Sequence, residues 1–191
     1  QDSTLVKKTE KYAIAVVADG HGSASYFRSS RGSLFATEAA ITAIEELLET
    51  ILSDKSNMDD FCASIDKHLI QLERSVIARW HERVEDDYSK NPFLDSEILK
   101  VDEKHKEKYL KGERIEAAYG STLIAVACTD AFWFGIHIGD GKCITCDYSG
   151  NFAEPIPWDE KCFLNVTTSI SDSNAVSYTH LRAHETVLDL V

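Results

Sequence analysis

The run Tyr12-Ala13-Ile14-Ala15-Val16-Val17-Ala18 is short, apolar and rich in β-branched residues, and it stops abruptly at Asp19-Gly20-His21-Gly22. Such a run predicts a strand buried on both faces that delivers polar groups at its end. Asp19 is then held by a rigid element at the edge of the core. Gly20 has no Cβ, so it allows either a tight turn or the close approach of its carbonyl to a ligand. A carboxylate beside a backbone carbonyl offers the oxygen donors that Mg²⁺ and Mn²⁺ prefer. On residue chemistry alone, a plain turn and a metal site both remain open.

Downstream of the loop, Ser33 is a candidate cap for a helix whose apolar positions include Leu34, Ala40, Ile41, Ile44, Leu48 and Ile51. A second helix is expected from about Asn57, with Asp59 and Asp60 favouring its positive end. Its apolar stripe runs Phe61, Ile65, Leu69, Leu72, Val76, Trp80 and Val84, in steps of three and four. Asn91-Pro92 stops or kinks that helix. Asp95 to Gly112 then reads as a third, mostly exposed helix with a thin face of Val101 and Tyr109.

From Gly120 the period changes. Ser121 to Cys128, Phe132 to Ile138 and Lys142 to Tyr148 are strand-like runs, separated by Thr129-Asp130 and by Gly139-Asp140-Gly141. Ser149-Gly150-Asn151 supplies a further turn, and the pattern predicts an antiparallel meander. A strand, two long helices and a meander define an α+β layered domain rather than a parallel doubly wound one.

Composition narrows the function classes. With 32 acidic and 20 basic side chains, the formal charge of -12 disfavours nucleic acid and anionic membranes as partners. No apolar run approaches the ~20 residues of a membrane span. The N-terminal residues lack an initiator Met and a secretion signal, and the N-terminus reads as a cut edge. Five cysteines, an odd number without disulfide-scaffold spacing, point to a reducing cytoplasm. Cys62, Cys128 and Cys162 read as small buried hydrophobes. Cys143 and Cys146 fall within a predicted strand, whose alternation sends them to opposite faces and argues against a zinc or redox pair.

Taken together, Gln1-Asp2-Ser3, Asp19-Gly20-His21-Gly22, Gly120-Ser121-Thr122 and Gly139-Asp140 occur in the order seen in the PPM family. The chain thus resembles the protein phosphatase 2C-like metal-dependent Ser/Thr phosphatases, over roughly residues 1 to 176. The resemblance implies a PP2C-like α-β-β-α sandwich truncated at both ends. It also implies hydrolysis of phosphoserine and phosphothreonine in phosphorylated protein substrates by a binuclear Mg²⁺ or Mn²⁺ centre. On that resemblance Asp19 bridges the metals, Gly20 offers its carbonyl, and Asp2 binds metal or its water. His21 corresponds to a general acid for the leaving alkoxide, a role open to an imidazole near pH 7, unless it only hydrogen-bonds within the loop. Gly22, Gly120, Ser121, Thr122, Gly139 and Asp140 are assigned structural roles.

Two features depart from the family. Its two further metal-binding aspartates are expected beyond Val176. Residues 177 to 191, beginning Ser177-Tyr178-Thr179-His180, instead resemble a translated sequencing adapter, a non-native tail with the chance makings of an amphipathic helix. The basic residue that usually precedes the acidic motif would lie before Gln1. Arg28 and Arg31 follow the loop and are expected to face solvent. The fragment is therefore expected to be inactive, with its metal shell incomplete. The alternatives are a catalytically inactive binding or regulatory module and an interaction module using the acidic stretch from Glu82 to Glu116. Oligomeric state is open.

Overall fold

The computed structural model describes residues 1–163, 166–175 and 180–185, the last six by their backbone alone. Five antiparallel strands form the main sheet, in the order β1-β2-β3-β4-β7. Strand β2 spans Tyr12–Ala18 and pairs with β1 (Ser3–Lys8) in the register Ser3↔Ala18 to Lys8↔Ala13. Thr9 closes their turn by accepting the N–H groups of Lys11 and Tyr12 on its Oγ1, each at 3.1 Å. Strands β3 (Leu123–Thr129) and β4 (Phe132–Ile138) continue the sheet as a hairpin, and β7 (His180–Glu185) pairs with the far side of β4.

Only one face of β2 is covered, contrary to the expectation of burial on both. Tyr12, Ile14, Val16 and Ala18 point into the core, whereas Ala15 and Val17 on the other face are exposed. The covering layer is α1 (Ser29–Ile51) and α3 (Ile65–Lys90), which pack on the inner face together with Leu123, Ala125, Ala127, Phe134 and Ile136. Each large apolar side chain fully buried there contributes about 1.5–3 kcal/mol. Trp80 also ties the two helices together, its indole N–H donating to the Gly32 carbonyl at 3.0 Å.

Ser33 does not cap α1, which begins four residues earlier at Ser29. Its hydroxyl donates instead to the Gln1 carbonyl at 2.6 Å, fastening the start of the chain to the helix. Leu34 is exposed, and alanines 36, 39, 40 and 43 form the buried face with Ile44 and Leu48. The expected second helix divides at Ser64 into α2 (Lys55–Ala63) and α3, and Asp54 caps α2 by accepting the Asn57 N–H at 3.0 Å. Asp95 to Gly112 holds two short helices, α4 (Asp95–Ile98) and α5 (Glu103–Leu110).

The third run of the meander leaves the sheet. Thr145–Cys146 (β5) pairs only with Phe152–Ala153 (β6). Between them Asp147 accepts the N–H groups of Ser149 and Asn151 at 2.8 and 2.9 Å, an Asx turn that closes a separate small hairpin. The edge of β4 is taken by β7, so the helix suggested for the tail is a strand over His180–Glu185. The remainder of the segment from 177 to 191 lies outside the described residues. Cys162 is buried as expected, but Cys62 and Cys128 are exposed. Cys128 shares the uncovered sheet face with Val126 and Ala13, to which its strand register assigns it. Among the described residues, no helix is long and apolar enough to cross a membrane.

Candidate functional site

Antiparallel pairing brings the end of β2, the start of β3 and the end of β4 to one edge of the sheet. The motifs spaced along the sequence thereby become neighbours. Asp19 and Thr122 are joined by two hydrogen bonds: the Asp19 N–H donates to Thr122 Oγ1 at 3.0 Å, and the Thr122 N–H donates to the Asp19 carbonyl at 2.9 Å. The His21 N–H donates to the Gly120 carbonyl at 3.1 Å, completing an antiparallel bridge between Gly20 and Ser121. Those bonds leave Gly20's own carbonyl outside the bridge.

Ser121 fastens the same corner to the chain's later part. Its N–H donates to Ser169 Oγ at 3.1 Å and its carbonyl accepts the Ile170 N–H at 3.0 Å. Gly139 turns the chain out of β4 at φ +111, where a Cβ would also lie 2.6 Å from Thr122 Cγ2. This turn sets Asp140 beside the loop. Gly120 solves a different problem: a Cβ there would lie 2.6 Å from the Tyr26 ring and 2.8 Å from the His21 ring. The two rings therefore pack edge to face, with centroids 4.7 Å apart.

Loss of surrounding solvent raises the Asp19 carboxyl above its ordinary range, and the hydrogen bond it donates to Asp2 when protonated, with the charges of Asp2 and Asp140, adds to that effect. Burial moves the His21 imidazole the other way, downward, against the opposing charges of Asp172 and Asp140. His21 Nε2 is buried without a hydrogen-bond partner among the described residues. A cleft of about 440 Å³ opens beside it, lined by His21, Gly22, Ser23 and Tyr26 on one wall and Val166 and Thr167 on the other.

Sequence spacing gave Asp140 only a turn, yet its charge acts on both Asp19 and His21. Asp172 was not singled out at all. Its Oδ2 accepts the Ser169 N–H at 3.0 Å, and the bonds of Ser121 to Ser169 and Ile170 bring its turn to the site. Arg28, expected in solvent, is 5% exposed. It forms a two-bond pair with Glu97 at 3.0 and 2.9 Å and donates to Tyr119 and to the carbonyls of Asn91 and Pro92. Arg31 is exposed, as expected, and holds both oxygens of Asp87, at 2.9 and 2.8 Å.

In donor type, Asp2, Asp19 and the Gly20 carbonyl suit a hard divalent cation, which would offset the charge that Asp2 places beside the Asp19 carboxyl. Among the described residues, however, no group of three or more His, Cys, Asp and Glu side chains is arranged to hold a metal ion. The fit is one of chemistry, short of a complete shell.

The layered helices and sheet, with this loop at the sheet edge, belong to a known class. A family model described as protein phosphatase 2C matches residues 1–190, and the chain belongs to that family. No curated protein matches it.

Proposed function

We propose that the parent domain hydrolyses phosphoserine and phosphothreonine in proteins with Mg²⁺ or Mn²⁺, and that this chain by itself has little turnover. The observation that carries the reading is the neighbouring carboxylates of Asp2, just before β1, and Asp19, just after β2, beside His21 and an open cleft. Asp2, Asp19 and the Gly20 carbonyl would hold the cation. It would supply charge neutralisation at the phosphoryl group and acidification of water.

The chain's own residues account for the remainder. Thr122 fixes the Asp19 peptide, so the carboxylate meets its ligand without reorganising. His21 lines the cleft, its buried Nε2 has no hydrogen-bond partner among the described residues, and the imidazole could hand a proton to a departing alkoxide once it has taken one up.

A second reading, an inactive binding or regulatory module, is favoured by one observation: the described residues do not assemble three metal-binding side chains. Hydrolysis of a phosphothreonine peptide with and without Mn²⁺ tests both readings, using Asp19→Asn as control. The expected result is weak or no turnover by the fragment and Mn²⁺-dependent turnover by the uninterrupted parent domain. Metal-dependent turnover by the fragment that is lost in the control would overturn the inactivity reading. A parent with no turnover would favour the binding module.

A further inference from the structure

The segment between α3 and β3 looks dispensable by composition. It is mostly polar, its helices have four and eight residues, and Leu94, Leu99 and Leu110 are exposed along it. Its few inward contacts nevertheless converge on the residues that follow His21. Tyr109 is the only buried residue of α5, and its hydroxyl donates to the Ser25 carbonyl at 2.7 Å. Its ring also meets Phe27 edge to face, 5.3 Å between centroids. From α4, Glu97 reaches back to Arg28 with both oxygens, while the Arg28 N–H donates to the Ala118 carbonyl at 2.9 Å.

Those contacts enclose a 3-10 turn at Ala24–Tyr26, and Tyr26 is the residue packed against His21. Gly120 limits that ring pair from the other side. Moving Ser25 must therefore move Tyr26, and Tyr26 cannot move without disturbing the imidazole. Tyr109 reaches this turn directly and Glu97 reaches the chain just after it, through Arg28; beyond these, α4 and α5 bury only Ile98.

We propose that Tyr109 and Glu97 are positioning residues that set where the His21 imidazole sits in the cleft. The significance of that placement for catalysis rests on the phosphatase reading, but the placement itself does not. A general brace on the fold would act through lost stability and would affect all parts of the sheet alike. A positioning residue moves His21 and leaves the remainder in place.

Two tyrosines make the test possible. Tyr12, at the opposite end of β2, is also buried and donates its own phenolic hydrogen bond, to Glu45 at 3.0 Å. Tyr109→Phe and Tyr12→Phe thus each remove one hydroxyl and no ring. The measurement is the ¹³C–¹H correlation spectrum of the histidine rings in the full chain, with the His21 signal assigned by its loss in His21→Gln. In Tyr109→Phe the His21 ring signal is expected to shift or broaden as its packing against Tyr26 changes, with the other histidine signals in place. Glu97→Gln is expected to move the same signal less, since one hydrogen bond to Arg28 can persist.

Tyr12→Phe is expected to leave the His21 signal unmoved. An unmoved signal in Tyr109→Phe, or an equal displacement in Tyr12→Phe, overturns the proposal. Hydrolysis of a phosphothreonine peptide by the uninterrupted parent domain is assayed separately. Absence of turnover there counts against the phosphatase reading and leaves the spectroscopic result to decide placement.

Discussion

Thr122 grips the Asp19 peptide from both sides, accepting its N–H on Oγ1 at 3.0 Å while donating its own N–H to the carbonyl at 2.9 Å. The hydroxyl is the half of that grip that a side-chain change can remove. Thr122→Val keeps the shape and leaves the Asp19 N–H without its acceptor, so a loss of about 1–3 kcal/mol is expected. Urea unfolding measures that cost, and titration calorimetry is expected to show weaker Mn²⁺ binding. Unchanged stability and Mn²⁺ affinity would remove Thr122 from the site.

The Asp19 carboxyl is raised above its ordinary range, so the folded chain holds this proton more tightly than the unfolded chain does. Its contribution is complete below the ordinary carboxylate value and is lost as pH climbs through the raised one. Asp19→Asn removes that dependence. Relative to the wild type, the variant is expected to gain stability across this window and hold the gain to neutral pH. Added Mn²⁺ is expected to stabilise the wild type alone. Denaturation midpoints from about pH 3 to about pH 7, with and without Mn²⁺, check the sign.

Arg28 is buried against Glu97, with Phe93 4.7 Å below its guanidinium. Arg28→Met leaves Glu97, Tyr119 and two backbone carbonyls without their donor. The expected loss is about 3–5 kcal/mol. The hydrogen bond from Arg28 holds Glu97 below its ordinary range, and that contribution is present above the unfolded value and disappears as pH falls through the folded one. The difference between wild type and variant should therefore narrow in acid, which thermal melts over a pH series can test.

Our reading of residues 177–191 as a non-native tail predicts that a chain ending at Val176 keeps its helices and its first four strands. Without β7 the edge of β4 is unpaired, and self-association at high concentration is expected. Circular dichroism and light scattering measure the two effects. Loss of the folded state would mean that the tail is integral to the domain.

Much of this architecture is legible in local pattern. The run Tyr12–Ala18 is a strand at its predicted bounds, Asn91 ends α3, and the stripe from Phe61 to Val84 faces the core apart from half-buried Ile65. What escaped local pattern depends on distant partners. Arg28 is buried because Glu97, Asn91 and Pro92 arrive from more than sixty residues away. Lys142–Tyr148 has strand-like composition, but the place beside β4 goes to β7 and Asp147 curls the chain into its own hairpin. At the site, Asp19 and His21 were readable as chemistry. Asp140 and Asp172 gain their influence only when separate turns meet at the sheet edge.

The Asp19–Thr122 grip also has a consequence in time. Its partners are 103 positions apart. At roughly 5–20 residues per second of synthesis, Asp19 leaves the ribosome about 5–20 s before Thr122 is available to hold it. The Asp19 peptide must emerge without that support, and the loop it opens cannot take up its native geometry until the second hairpin is made.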